Sequence, residues 1–148
     1  MLPLKKVLCP IDFSEHSLKA LPNAVELAKK FGAELHAVNV IAPFPVLPAT
    51  PHPIGFNVQV YEDELADNSM ENLKEVTKKY FPDDVKTKYK ILKGDPSSEI
   101  IEYSDENNID LIILTTHGSG ALRHLIFGSV AEKILRHANC PVLTIRVL

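Results

Sequence analysis

The stretch Asp110-Leu111-Ile112-Ile113-Leu114 places four large apolar residues in succession, leaving no polar position to face water on either side. Such a run suits a strand covered on both faces, as in a parallel sheet enclosed between helices. It is expected in the middle of that sheet. Immediately upstream, Asn107-Asn108 turns the chain out of a helix predicted over Pro96–Glu106. Gly94-Asp95-Pro96 opens that helix, with Asp95 placed to accept from first-turn amides and Pro96 at a position whose N–H needs no partner. Downstream, Gly118-Ser119-Gly120 forms a turn, Val130–His137 a last helix and Pro141–Leu148 a last strand.

The same alternation runs back to the start of the chain. Val85–Leu92 reads as a strand, and a polar helical segment covers about Tyr61–Tyr80. Between that helix and the strand Glu34–Ile41 lies a loop with Pro43, Pro45, Pro48, Pro51 and Pro53, either a lid, a partner-binding segment or a stiff irregular connection. Leu18, Leu21, Val25, Ala28 and Phe31 recur at helical spacing between Ser14 and Gly32, with a kink expected at Pro22. A first strand runs from Lys5 to Pro10. The order β-α-β-α-β-α-β-α-β implies right-handed crossovers. The expected fold is thus α/β, one three-layer domain over residues 1–148 with a five-stranded parallel sheet and helices on both faces.

Composition narrows the function. At 148 residues, 45% apolar and 24% charged, the chain has the make-up of an ordinary single globular domain. A net charge of −3 without a dense basic run argues against a nucleic-acid partner. The longest apolar stretch, Val40–Ala49, is interrupted by prolines and far shorter than the roughly 20 residues a bilayer requires, so no membrane role is expected. Residues 1–13 lack the apolar core of a signal peptide. Cys9 and Cys140 form no metal or disulfide spacing and read as core thiols at opposite ends of the sheet.

Ligand sites on such sheets lie beyond the C-terminal ends of the strands. Three segments converge there: Pro10-Ile11-Asp12, Val40, and Thr115-Thr116-His117-Gly118. From Gly118 a nine-residue spacer, Ser119 to Phe127, leads to Gly128-Ser129-Val130 at the start of the last helix, where glycine backbone and helix N-terminus both favour phosphate. Asp12 either caps the helix beginning near Ser14 or contacts a ligand, and the two roles are compatible. His117 can donate a hydrogen bond near the same turn, although a lone histidine in a turn is more often structural. Gly118-Ser119-Gly120 is no dinucleotide fingerprint, because Arg123 stands where the third glycine belongs, and no Walker lysine follows.

Val7-Leu8-Cys9-Pro10-Ile11-Asp12-Phe13-Ser14, Asp110-Leu111-Ile112-Ile113, Gly118 with Gly128-Ser129, and Cys140-Pro141-Val142-Leu143 together resemble the universal stress protein family over nearly the whole chain. The nucleotide-binding branch of that family carries G-x2-G-x9-G-[ST]. Here Gly118, Gly128 and Ser129 match, while Thr115 stands in place of the first glycine. The resemblance implies a Rossmann-like fold of the adenine nucleotide alpha hydrolase type. It implies ATP (or AMP or ADP) with Mg, with Asp12 and Val40 as adenine contacts, Gly118 as a ribose or phosphate contact and Gly128, Ser129 and Val130 as phosphate contacts; Pro10, Ile11, Thr115 and His117 complete the candidate binding residues. It also implies a cytoplasmic homodimer joined through the C-terminal edge strand, acting in stress response without dedicated catalysis. The alternatives are a nucleotide-independent member acting through protein partners and a slow ATPase.

Overall fold

Lys6–Pro10 forms β1, and Val7, Leu8 and Cys9 within it are wholly buried, so this strand is covered on both faces. A computed structural model describes residues 3–43, 55–116 and 128–146, and in it β1 is the central strand of a five-stranded parallel sheet. With β2 (Glu34–Ile41), β3 (Thr87–Lys93), β4 (Leu111–Thr115) and β5 (Val142–Ile145), the order across the sheet is β3-β2-β1-β4-β5. The apolar run of β4 is buried at every position, yet it lies one place from the centre. Burial on both faces marks a strand as internal and does not rank the internal strands.

Successive strand residues point to opposite faces, and the core divides accordingly. Val7, Cys9, Leu35, Ala37, Leu111 and Ile113 pack beneath α2 (Leu21–Phe31) and α3 (Val58–Lys78). Leu8, Val38, Ile112 and Leu114 pack beneath α4 (Pro96–Glu106) and α5 (Ser129–His137). The result is the three-layer architecture expected. Among the described residues no helix is long and apolar enough to cross a membrane.

The first helix is broken where a kink was expected. Glu15–Leu18 forms the short α1, and Pro22 falls in the first turn of a new helix, α2. A proline there removes no hydrogen bond, so restarting the helix costs less than bending through it. Gly32 closes α2 at φ 63°, a left-handed conformation suited to glycine. Helix α3 starts three residues before the expected Tyr61, because the Asn57 side chain accepts from the amides of Gln59 (3.0 Å) and Val60 (3.3 Å). Asp95 caps α4 as expected, and hydrogen bonds from the Ser97 hydroxyl and from Ser98 hold its carboxyl down at about 2.

Cys9 is the core thiol expected, pushed up to about 12 by burial. Cys140 is only partly buried and packs against the margin of the core, correcting the expectation of a second core thiol. Burial raises its pKa as well.

Polar groups knit the N-terminal end of the sheet. Asp110 Oδ2 accepts from the Lys5 and Lys6 amides at 2.8 Å each, joining β1 to β4. His36, 1% exposed, pairs through Nδ1 with the Tyr103 hydroxyl at 2.8 Å. Its Nε2 lies 3.3 Å from Glu34 Oε1, within ion-pair distance but without hydrogen-bond geometry. Glu34 in turn pairs with Lys86. Burial lowers the His36 pKa against the smaller opposing pull of Glu34.

Candidate functional site

Parallel strands end together, and the chain must leave the sheet at their C-terminal ends. Between the turn after β1, the end of β2, the end of β4 and the start of α5 lies a cleft of about 390 Å³. Pro10, Ile11 and Asp12 form one rim; Thr115, Gly128, Ser129 and Val130 form the other; Val40, on β2, lies on the far side of β1 from Thr115. All of these were singled out in the sequence. His117 and Gly118 lie outside the described residues, as do Arg123 and most of the proline loop. Val38, Leu114, Ile100 and Ile134 add apolar walls from the sheet, α4 and α5.

The first rim is held from several sides. The Ile11 amide donates to the Val38 carbonyl at 2.8 Å, and the Ile11 carbonyl accepts from Asn39 Nδ2 at 2.7 Å. Asn39 Oδ1 accepts from the Ser69 hydroxyl of α3 at 2.6 Å. The Asp12 amide donates to Ser17 Oγ at 3.3 Å. Phe13 then adopts a left-handed φ of 64°, which costs a residue with a Cβ about 1–2 kcal/mol. Asp12 Oδ1 accepts from both the amide (2.9 Å) and the hydroxyl (2.5 Å) of Ser14.

Ser14, not Asp12, caps α1, accepting from the Ser17 amide at 3.1 Å. This corrects the capping role considered for Asp12: two residues further back, the aspartate braces the capping serine and remains exposed on the rim. Asn39, Ser17 and Ser69 were missed in the sequence. The one available signal was Asn39 itself, a polar residue inside the otherwise apolar end of β2 and now 6% exposed.

The second rim differs from expectation at two glycine-related positions. Gly128 is the N-cap of α5 at φ −69° and ψ 154°, extended backbone that any residue adopts. Its amide donates to the Thr116 carbonyl at 2.7 Å, so that N–H is engaged within the protein rather than offered to a phosphate. Its carbonyl receives the first helical bond, from the Glu132 amide at 2.9 Å. The amides of Ser129, Val130 and Ala131 precede that bond and carry the positive end of the helix dipole at the cleft. Thr115 ends β4 in register with Ile145, and strand backbone accommodates a β-branched side chain readily.

An apolar-walled cleft with a helix N-terminus at one rim and a carboxylate-bearing turn at the other suits a flat heterocycle joined to an anionic group. Lys133 lies 3.9 Å from Asp95, a loose exposed pair. Among the described residues no group of three or more His, Cys, Asp or Glu side chains could hold a metal.

Known proteins give this arrangement a family. The Universal stress protein family model matches residues 3–146. Universal stress protein MJ0531 of Methanocaldococcus jannaschii is 35% identical over 144 residues, 96% of this chain and 82% of the relative. The solved structure of the hypothetical protein MJ0577 superposes with a TM-score of 0.84 at 25% identity, covering 99% of each chain. Two further structures share the fold. One is a universal stress protein in complex with cAMP (TM-score 0.70, 18% identity, 98% of each chain). The other is the universal stress protein from Archaeoglobus fulgidus in complex with dAMP (TM-score 0.63, 21% identity, 97% of this chain and 98% of that one). The match over nearly the whole length shows that this chain belongs to the universal stress protein family.

Proposed function

We propose that the chain binds an adenine nucleotide in this cleft, ATP with Mg or the shorter AMP and ADP, and acts as a dimeric cytoplasmic regulatory module in stress response, without dedicated catalysis. The observation that carries the reading is the placement of the apolar pocket, Asp12 and the start of α5 around a single cleft. The base lies between the turn after β1 and Val40, and the phosphates lie toward Ser129 and Val130. Fold neighbours crystallised with cAMP and dAMP support an adenine ligand. With no cluster of protein ligands among the described residues, Mg travels with the phosphates of ATP.

The two edges of the sheet support dimerisation through β5. Edge strand β3 exposes Lys88, Lys90 and Lys93, charges that discourage strand addition. Edge strand β5, Val142-Leu143-Thr144-Ile145, carries none and exposes Leu143, with Val130 and Leu135 of α5 also exposed.

Calorimetric titration of nucleotide-stripped protein with ATP, with and without Mg, and with AMP tests the reading. Saturable binding near one site per chain is expected. Absence of binding to all of them overturns it and directs attention to protein partners. Light scattering should give about twice the 16.4 kDa of one chain.

A further inference from the structure

We infer that Asn39, anchored by Ser69, is a positioning residue that locks the turn reading the nucleotide base and thereby sets its selectivity for adenine; this rests on the nucleotide reading above. Asn39 and Ser69 are 6% and 7% exposed. Leu35 and Ala37 place the odd positions of β2 on the α2–α3 face, and Asn39 continues that series, while Val38 packs in the other core beneath α4 and α5. Asn39 therefore supports the binding turn from the sheet while also lining the cleft beside Val40.

Its two polar atoms have distinct tasks. Nδ2 donates to the Ile11 carbonyl at 2.7 Å, and Oδ1 accepts from Ser69 at 2.6 Å. The Ile11 carbonyl, which can only accept, determines which way the amide faces, since a reversed amide would oppose two oxygens there, and the Ser69 hydroxyl holds the amide in place by donating to Oδ1. With the Ile11 amide on Val38 and the Asp12 amide on Ser17, both peptide units leading into Asp12 are fixed. They are fixed just ahead of the left-handed Phe13, a conformation that persists only where its surroundings over-determine it.

Asp12 stands at the exposed end of this brace, on the cleft rim opposite the start of α5. Adenine presents an amine donor where guanine presents a carbonyl acceptor. A carboxylate held in one orientation accepts from the first and repels the second, whereas a loose turn can swing away and tolerate either. A side chain that merely filled space at position 39 would carry no such consequence for the choice of base.

The test measures the Kd values of ATP and GTP for the wild-type chain, Asn39→Asp and Ser69→Ala, with folding followed by circular dichroism. Asn39→Asp sets a carboxylate oxygen against the Ile11 carbonyl. Ser69→Ala keeps the amide but removes the anchor on its Oδ1, and it decides the matter if the first variant does not fold. The wild type should prefer ATP. Asn39→Asp should weaken ATP about tenfold and GTP little, collapsing the ratio, with an intermediate loss in Ser69→Ala and faster amide exchange at Asp12 and Ser14 in both. A ratio unchanged in folded variants, or a wild type that binds ATP and GTP equally, overturns this inference alone. A wild type that binds neither ATP, GTP nor AMP overturns the nucleotide reading and this inference with it.

Discussion

The two ends of the sheet treat their polar groups differently. At the N-terminal end they close on one another: Asp110 on the Lys5 and Lys6 amides, Lys6 Nζ on the Asn107 carbonyl at 2.7 Å, Glu34 on Lys86, and His36 on Tyr103. At the C-terminal end they are arranged around a cleft. There the bracing bonds run through Asn39, Ser17 and Ser14, of which Asn39 and Ser17 also line the cleft, and Asp12 and the first turn of α5 border the opening. One end closes its polar groups on one another, and the other leaves the cleft proposed to take the nucleotide. Substitutions at the first should therefore change unfolding without changing affinity, and those at the cleft rim should change affinity.

The largest effect expected at the closed end comes from Tyr103→Phe, which leaves Nδ1 of the buried His36 without its partner. Such a loss costs about 2 kcal/mol, measurable by urea denaturation with unchanged ATP affinity. A comparable loss of affinity would show that the two ends are coupled.

At the open end, Gly128→Val places a branched side chain on the cleft rim at backbone angles that valine accepts. ATP affinity should fall about tenfold, equivalent to about 1.4 kcal/mol. Because valine is a poorer N-cap than glycine, stability should fall by about 1 kcal/mol, so Gly128→Ala, which carries the same capping cost without the branched side chain, serves as the control for affinity. Unchanged affinity would remove α5 from the binding site.

Acidification tests the closed end more gently. The His36 pKa is lowered in the folded state, so the unfolded chain takes up the proton first. Its contribution is fully present above the unfolded value of about 6.5 and is lost as pH falls toward the lower folded value, at no more than about 1.4 kcal/mol per pH unit. The groups around it are Glu34, Lys6, Lys86 and Lys88, with Tyr103 facing it from α4. The Glu34 pKa is lowered as well, chiefly by Lys86, so its own loss begins only near the ordinary carboxylate range. Thermal melts between pH 7.5 and 5.5 should show the decline in the wild type and a flatter profile in His36→Gln.

The smallest effect on chain stability belongs to Leu143→Lys on the exposed side of β5. A surface change of this kind shifts stability by about 0.5 kcal/mol or less. It should nevertheless convert the proposed dimer to monomer in light scattering, while the same substitution load on β3, Lys90→Ala, leaves assembly intact.

Much of this was legible in the residues. Alternating strand and helix periods define the elements, and parallel strands bring residues 10–12, 40, 115 and 128–130 to one end whatever their detailed pairing. Capping chemistry is local as well, which is why Asp95-Pro96 and Gly32 read correctly. Pro22 was legible as a disturbance, but whether a helix bends or restarts depends on what the two halves pack against.

Other features required the tertiary structure. Strand order across the sheet is set by lateral pairing, so the central place of β1 was not encoded in the apolar run of β4. The role of Asn39 depends on partners 28 and 30 residues away in the chain. The amide of Gly128 is engaged because β4 ends beside it. By itself the sequence determined the elements, their parallel arrangement and the end of the sheet where the cleft lies, since these follow from local period and chain direction. The tertiary structure decided which polar groups face the cleft and which are engaged behind it, because a hydrogen bond between distant residues leaves no periodic trace in the chain.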